Sequence, residues 1–135
     1  MASFAFELVS PERLLISEQV DSVTAPGVEG EFTVLANHAP FITVLRPGLV
    51  TIRAGANTQS FYVRGGFAEV NPEGLTILAD FALPASDLDD AALAREVEAT
   101  EAALAHAAGD EARAKAAQTV AWIKDIRAGA GAAAH

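Results

Sequence analysis

The apolar pattern of this chain changes period once, near Pro84-Ala85-Ser86, and that change restricts it to strands followed by helices. Before this point the period is two. Phe4, Phe6 and Leu8 alternate with Ala5, Glu7 and Val9, and Val20, Ser22 and Thr24 alternate with Asp21, Val23 and Ala25. Further runs cover residues 31–35, 49–53, 58–64, 67–70 and 75–81, rich in Val, Ile, Thr, Phe and Tyr. Turn residues separate them: Ser10-Pro11, Pro26-Gly27, residues 37–40, Pro47-Gly48, Gly55-Ala56-Asn57, Gly65-Gly66 and residues 71–74. Short strands at this spacing predict an antiparallel sandwich or flattened barrel.

After Ser86 the composition shifts to Ala, Glu, Asp, Arg and Lys. Ser86 or Asp87 can cap a helix, and Asp87, Asp89 and Asp90 suit its positive end. Leu93, Val97 and Leu104 form one stripe at helical spacing. Gly109-Asp110 breaks this run. A second helix then carries Val120, Ile123 and Ile126 with Trp122 beside them, and Lys124 and Arg127 near its C-terminal end. So short a break predicts an antiparallel two-helix hairpin. Its contact face is largely Ala, which buries little apolar area, so the hairpin is expected to be the more labile part and to need a second surface. The division read from the pattern is therefore a β-sandwich domain over 1–85, an α-helical hairpin over 86–128 and a disordered tail over 129–135.

The 135 residues allow one real hydrophobic core and a small appendage. With no cysteine, a disulfide scaffold, an iron–sulfur cluster and a thiol nucleophile are excluded. Apolar runs fall short of the roughly 20 residues a spanning helix needs, so no direct membrane insertion is expected. The N-terminus has no basic region followed by an apolar stretch, as a signal or transit peptide would. A net charge of −9 makes nucleic acid a poor partner and favours a basic protein surface.

Catalytic patterns are absent: no phosphate loop, no GxGxxG after a strand, no nucleophile elbow. His38, His106 and His135 match no metal-ligand spacing, so neither metal nor cofactor is expected. Glu96, Glu98 and Glu101 read as a solvated helix face. Glu29 and Glu31 flank Gly30 in a loop that is either an ordinary exposed turn or a binding loop. His38, before Ala39-Pro40, is either a turn residue or a partner contact. Gly65-Gly66 reads as a bulge or tight turn, with room for a close backbone approach.

Three blocks resemble the epsilon subunit family of the rotary ATP synthase, whose mitochondrial counterpart is called delta. The first, Gly30-Glu31-Phe32-Thr33-Val34-Leu35-Ala36-Asn37-His38-Ala39-Pro40, follows the family pattern G-E-x-x-[VI]-L-P-N-H-A-P, with Ala36 at the usual proline. The others are Gly65-Gly66-Phe67-Ala68-Glu69-Val70 and Leu78-Ala79-Asp80, and the Pro47-Gly48 turn also fits. The resemblance implies a ten-stranded β-sandwich followed by a helical hairpin. It implies a non-catalytic rotor subunit that binds the gamma subunit, seats on the c-subunit ring and couples its proton-driven rotation to the catalytic alpha/beta head. Glu29, Gly30 and Glu31 match the c-ring-facing loop, and His38 and Ala39 match gamma-facing positions. The location implied is peripheral, at the cytoplasmic face of the bacterial inner membrane.

In many family members the hairpin swings out to block ATP hydrolysis, a two-state element. Here the nucleotide motif [IL]-D-x-x-R-A is degenerate: Leu88 and Asp89 are present, but Ala92 stands where Arg would read phosphate. ATP binding is therefore expected to be weak or absent, which argues against an ATP-sensing module acting through the hairpin. Arg113, Lys115, Lys124 and Arg127 are the basic groups available to meet the head, and their sparseness implies weak inhibition.

Overall fold

The computed structural model describes the backbone of residues 2–133 and the side chains of residues 2–128. The chain divides into two compact units, Met1–Ala85 and Ser86–His135.

Among the described residues the first unit holds ten strands: β1 (Phe4–Val9), β2 (Leu14–Val20), β3 (Ser22–Gly27), β4 (Gly30–Leu35), β5 (Phe41–Val44), β6 (Gly48–Ala54), β7 (Asn57–Arg64), β8 (Phe67–Asn71), β9 (Gly74–Leu78) and β10 (Phe81–Pro84). They make two five-stranded sheets, β2-β1-β9-β8-β5 and β10-β7-β6-β3-β4. Alternating side chains fill the space between the sheets: Phe6 and Leu8 from β1, Ile77 from β9, Val23 from β3, Val50 and Ile52 from β6 and Val63 from β7 are fully buried there. This is a β-sandwich, as the period of two predicts.

The expected antiparallel order holds except between β1 and β9, which run parallel, Ala5 beside Gly74 and Val9 beside Leu78. β1 lies between β2, its antiparallel partner, and β9. Two runs read from the sequence as single strands are each two. The run through Val20 and Thr24 breaks at Asp21, where the chain passes from one sheet to the other. Asp21 Oδ2 accepts from the Gly55 N–H at 2.6 Å, which fixes the corner. The run 75–81 breaks at Ala79-Asp80 by a second passage between sheets.

Gly65-Gly66 is the matching crossing between β7 and β8, and the close backbone approach there comes from this same chain. Gly66 adopts φ 97°, and a Cβ on it would collide with the Leu78 carbonyl oxygen and lie 2.8 Å from Ala79 Cα. Its own carbonyl accepts from the Leu45 N–H at 2.9 Å. Glycine is required twice over, by the dihedral and by the contact.

The second unit is a hairpin of α1 (Asp90–Ala105) and α2 (Asp110–Ala133), joined through Gly109 at φ 88°. The cap is Asp89 rather than Ser86 or Asp87, because a short 3-10 turn occupies Ala85–Asp87 first. Asp89 Oδ1 accepts from the Ala92 N–H at 2.8 Å. Leu93 and Val97 on α1 and Val120 and Ile123 on α2 are buried, while Leu104, Trp122 and Ile126 are half-buried. Glu98 and Glu101 are solvated as expected, but Glu96 is only 7% exposed, so the reading of all three as a solvated face fails at Glu96. Thr100, also buried, satisfies its hydroxyl on the Glu96 and Val97 carbonyls at 2.9 and 3.0 Å. The helix runs on past 128 to Ala133, through the stretch expected as a disordered tail. Residues 134 and 135 of that tail, with His135, lie outside the described residues.

Gly66→Ala is expected to lower the unfolding free energy by about 2 kcal/mol or more, since strain and collision combine. Gly55→Ala, at φ 61° in open space, should cost about 1 kcal/mol. Urea titrations of the two variants, followed by circular dichroism, check this order. Asp89→Ala should weaken the first turn of α1 by about 1 kcal/mol, read as roughly fivefold faster amide exchange there. Asp89→Ser should restore most of the protection.

Candidate functional site

Sequence reasoning picks out loops, and the structure adds a surface. The outward side chains of the five-stranded sheet can be followed across its strands by register. Val44 faces Phe67, Phe67 faces Leu78, Leu78 faces Val9 and Val9 faces Leu14. Every strand of the sheet thus contributes one apolar residue to a continuous ladder. Leu14 is 53% exposed and Val44 57%, with Leu78 also exposed and Val9 and Phe67 half-buried. A surface depression of about 480 Å³ lies beside it, lined in part by Val9, Pro11, Phe67 and Leu78. Single exposed apolar residues mean little, but a contiguous apolar row marks an interaction surface. No sequence pattern could reveal this ladder, because its members are neighbours only through strand pairing; the sequence blocks contain Phe67 and Leu78 without showing that they are paired.

β5 forms one edge of that sheet, and its Ile42 is 63% exposed. An exposed apolar edge invites another chain. This strand also links the two loops singled out by sequence. At its N-terminal end, Asn37 takes φ 65°, a conformation Asn tolerates, and turns the chain after β4. His38 and Ala39 follow, both exposed. The His38 ring stands 5.5 Å from that of Phe41, which meets Phe32 edge-on at 5.3 Å. His38 is thus a turn residue on an aromatic support, with its outer side still in solvent.

At the other end of β5, the Val28 N–H donates to the Val44 carbonyl at 3.0 Å. Val28 and Glu29 form the tip of the β3–β4 hairpin, closed by Gly27 opposite Gly30. Glu29, Gly30 and Glu31 are exposed, and Gly30 at φ 142° has open space around it. The acidic tip and the His38 turn therefore lie at opposite ends of β4, about 17 Å apart at strand spacing. The tip, not His38, adjoins the apolar ladder.

In the hairpin, the degenerate motif is absorbed into structure. Asp89 is spent on the cap, Leu88 is half-buried and Ala92 is 6% exposed. Arg127 places Nε and Nη2 on the Asp90 carboxylate at 3.2 and 3.4 Å, and Lys124 Nζ lies 3.8 Å from Glu101. These pairs tie α2 to α1, although exposed pairs stabilise by at most about 1 kcal/mol. Arg113 and Lys115 carry no ion pair among the described residues and face solvent.

Among the described residues no group of His, Asp or Glu converges to hold a metal, and no helix is long and apolar enough to cross a membrane.

Residues 3–85 match the family model described as the ATP synthase delta/epsilon chain β-sandwich domain. The chain is 53% identical over 111 residues to an ATP synthase epsilon chain of Rhodopseudomonas palustris, covering 82% of each. It is 48% identical over 123 residues to one of Parvibaculum lavamentivorans, covering 90% of this chain and 93% of that one. In shape it is similar to a chain of the Euglena gracilis mitochondrial ATP synthase OSCP/F1/c-ring assembly, with a TM-score of 0.73 and 25% identity over 96% of this chain and 82% of the other. With the sandwich matched from end to end and relatives about half identical along both units, the chain belongs to the ATP synthase delta/epsilon chain family.

Proposed function

We propose that this chain is a non-catalytic central-stalk subunit of a proton-translocating ATP synthase, clamping the gamma subunit to the c-subunit ring so that torque reaches the catalytic head. The observation that carries this reading is the apolar ladder across the outer sheet, which ends against the acidic hairpin tip. A part that must hold two partners at once needs two surfaces of different chemistry side by side. The ladder and edge strand β5 suit a stable apolar interface, the kind expected against gamma. Glu29 and Glu31 suit a basic, polar surface, the kind expected on the loops of the c ring. The Val28–Val44 hydrogen bond holds one against the other.

His38 and Ala39 extend the gamma-facing surface to the far end of β5. The assembly would place the chain peripherally, at the cytoplasmic face of a bacterial inner membrane. The hairpin serves as a weak brake at most: Lys124 and Arg127 are engaged with α1, which leaves Arg113 and Lys115 as the readier contacts for the alpha/beta head. ATP sensing is not favoured, since the carboxylate of the motif caps a helix and Ala92 stands at the motif's Arg position.

Calorimetry of the full chain with purified gamma subunit should give tight one-to-one binding. Val44→Ser and Phe67→Ser in the ladder should each weaken it by about tenfold or more, as central apolar contacts do. Absence of binding at micromolar concentrations, with both proteins folded, would refute the reading. Calorimetry with ATP should give no heat of binding in the micromolar range, and a measurable affinity there would restore the sensing role.

A further inference from the structure

The ladder is bordered by a second row, two residues away along each strand. In it Ile42 faces Glu69, Glu69 faces Thr76 and Thr76 faces Glu7. Glu7 and Glu69 stand on β1 and β8, with β9 between them, so their backbones are about 9.5 Å apart at sheet spacing. Both are exposed, and neither has an ion pair among the described residues. The apolar row thus has a negative border on one side, with its two carboxylates at a fixed separation.

An apolar contact is non-directional and tolerates sliding. A ladder of similar aliphatic residues could be covered in more than one position along the strand axis. Two charges on one side of it remove that freedom. We infer that Glu7 and Glu69 are positioning residues that set the register of this sheet on its partner, by pairing with two cationic side chains, Lys or Arg, that flank the partner's apolar ridge. This rests on the proposed function and adds the chemistry of the partner surface: an apolar ridge with two basic groups about 9.5 Å apart on one flank. A second copy of this chain is a poor occupant, since each copy carries a net charge of −9. Charges at the edge of an interface act mainly on association rate and on its salt dependence.

The test is the association kinetics of the full chain with gamma subunit at low and high salt. The variants are the double changes Glu7→Gln/Glu69→Gln and Glu7→Lys/Glu69→Lys. Both sites are exposed, so the unfolding midpoints should stay at the parent value and report intact folds. The Gln pair should bind about tenfold more slowly at low salt and lose most of its salt dependence, and the Lys pair should be slower still. A parent chain that binds gamma tightly while the Gln pair matches it at every salt concentration would overturn this inference and leave the proposed function standing. A folded parent chain that does not bind would overturn both. A stable dimer of the free chain in sedimentation, broken by Phe67→Ser, would assign the ladder to a second copy and overturn the inference.

Discussion

The register of β1 is the constraint on which the sandwich and its outer surface both depend. This strand lies inside a sheet, with β2 on one side and β9 on the other. In the observed register Phe6 and Leu8 enter the core while Glu7 and Val9 face outward. A slip by one residue would reverse every one of these assignments. It would bury a carboxylate, expose a Phe and a Leu, and remove Val9 from the apolar ladder. Gly74 supports that register, because a side chain there would strike the Ala5 carbonyl. Core packing and surface chemistry are thus two readings of one alignment.

Much of the fold was legible because each unit announces its period. Alternation at Phe4, Phe6 and Leu8 gives a strand, and Ala-rich sequence with Leu93 and Val97 gives a helix. The losses come where local pattern and chain path part. Asp21 and Asp80 sit in the middle of runs that read as continuous, yet the chain changes sheet at each. Only the geometry of the corner, with Asp21 holding Gly55, explains why the strand stops. Most of β2, residues 14–19, and all of β5 fall outside the runs legible in the sequence; the burial of β2 follows no strict alternation, and its exposed Leu14 belongs to the outer face. At the hairpin, Ser86 and Asp87 read as caps along the sequence, and the cap falls on Asp89 because of a 3-10 turn with no clear signature.

The candidate site was legible only in part for a related reason. His38, Ala39, Glu29, Gly30 and Glu31 were found as loop residues, where function concentrates. The ladder that gives those loops a shared context is made by five residues from five strands. Its logic is perpendicular to the sequence, and reading it requires the pairing of each strand with the next. The basic groups of the hairpin show another limit of the sequence: that Lys124 and Arg127 meet carboxylates on the neighbouring helix is visible only in the fold.

The parallel pairing of β1 with β9 also bears on how the domain is made. A chain leaves the ribosome N-terminal end first, so β1 emerges well before β9. Its partner β2 follows at once, but its other neighbour begins at Gly74, near the end of the sandwich. Until then one edge of β1 is unpaired. Such long sequence separation slows folding and leaves apolar strand edges open in the meantime. The domain should therefore close late, as one cooperative step after the last strands are synthesised, and truncations within β9 should leave the whole sandwich unformed rather than one strand short.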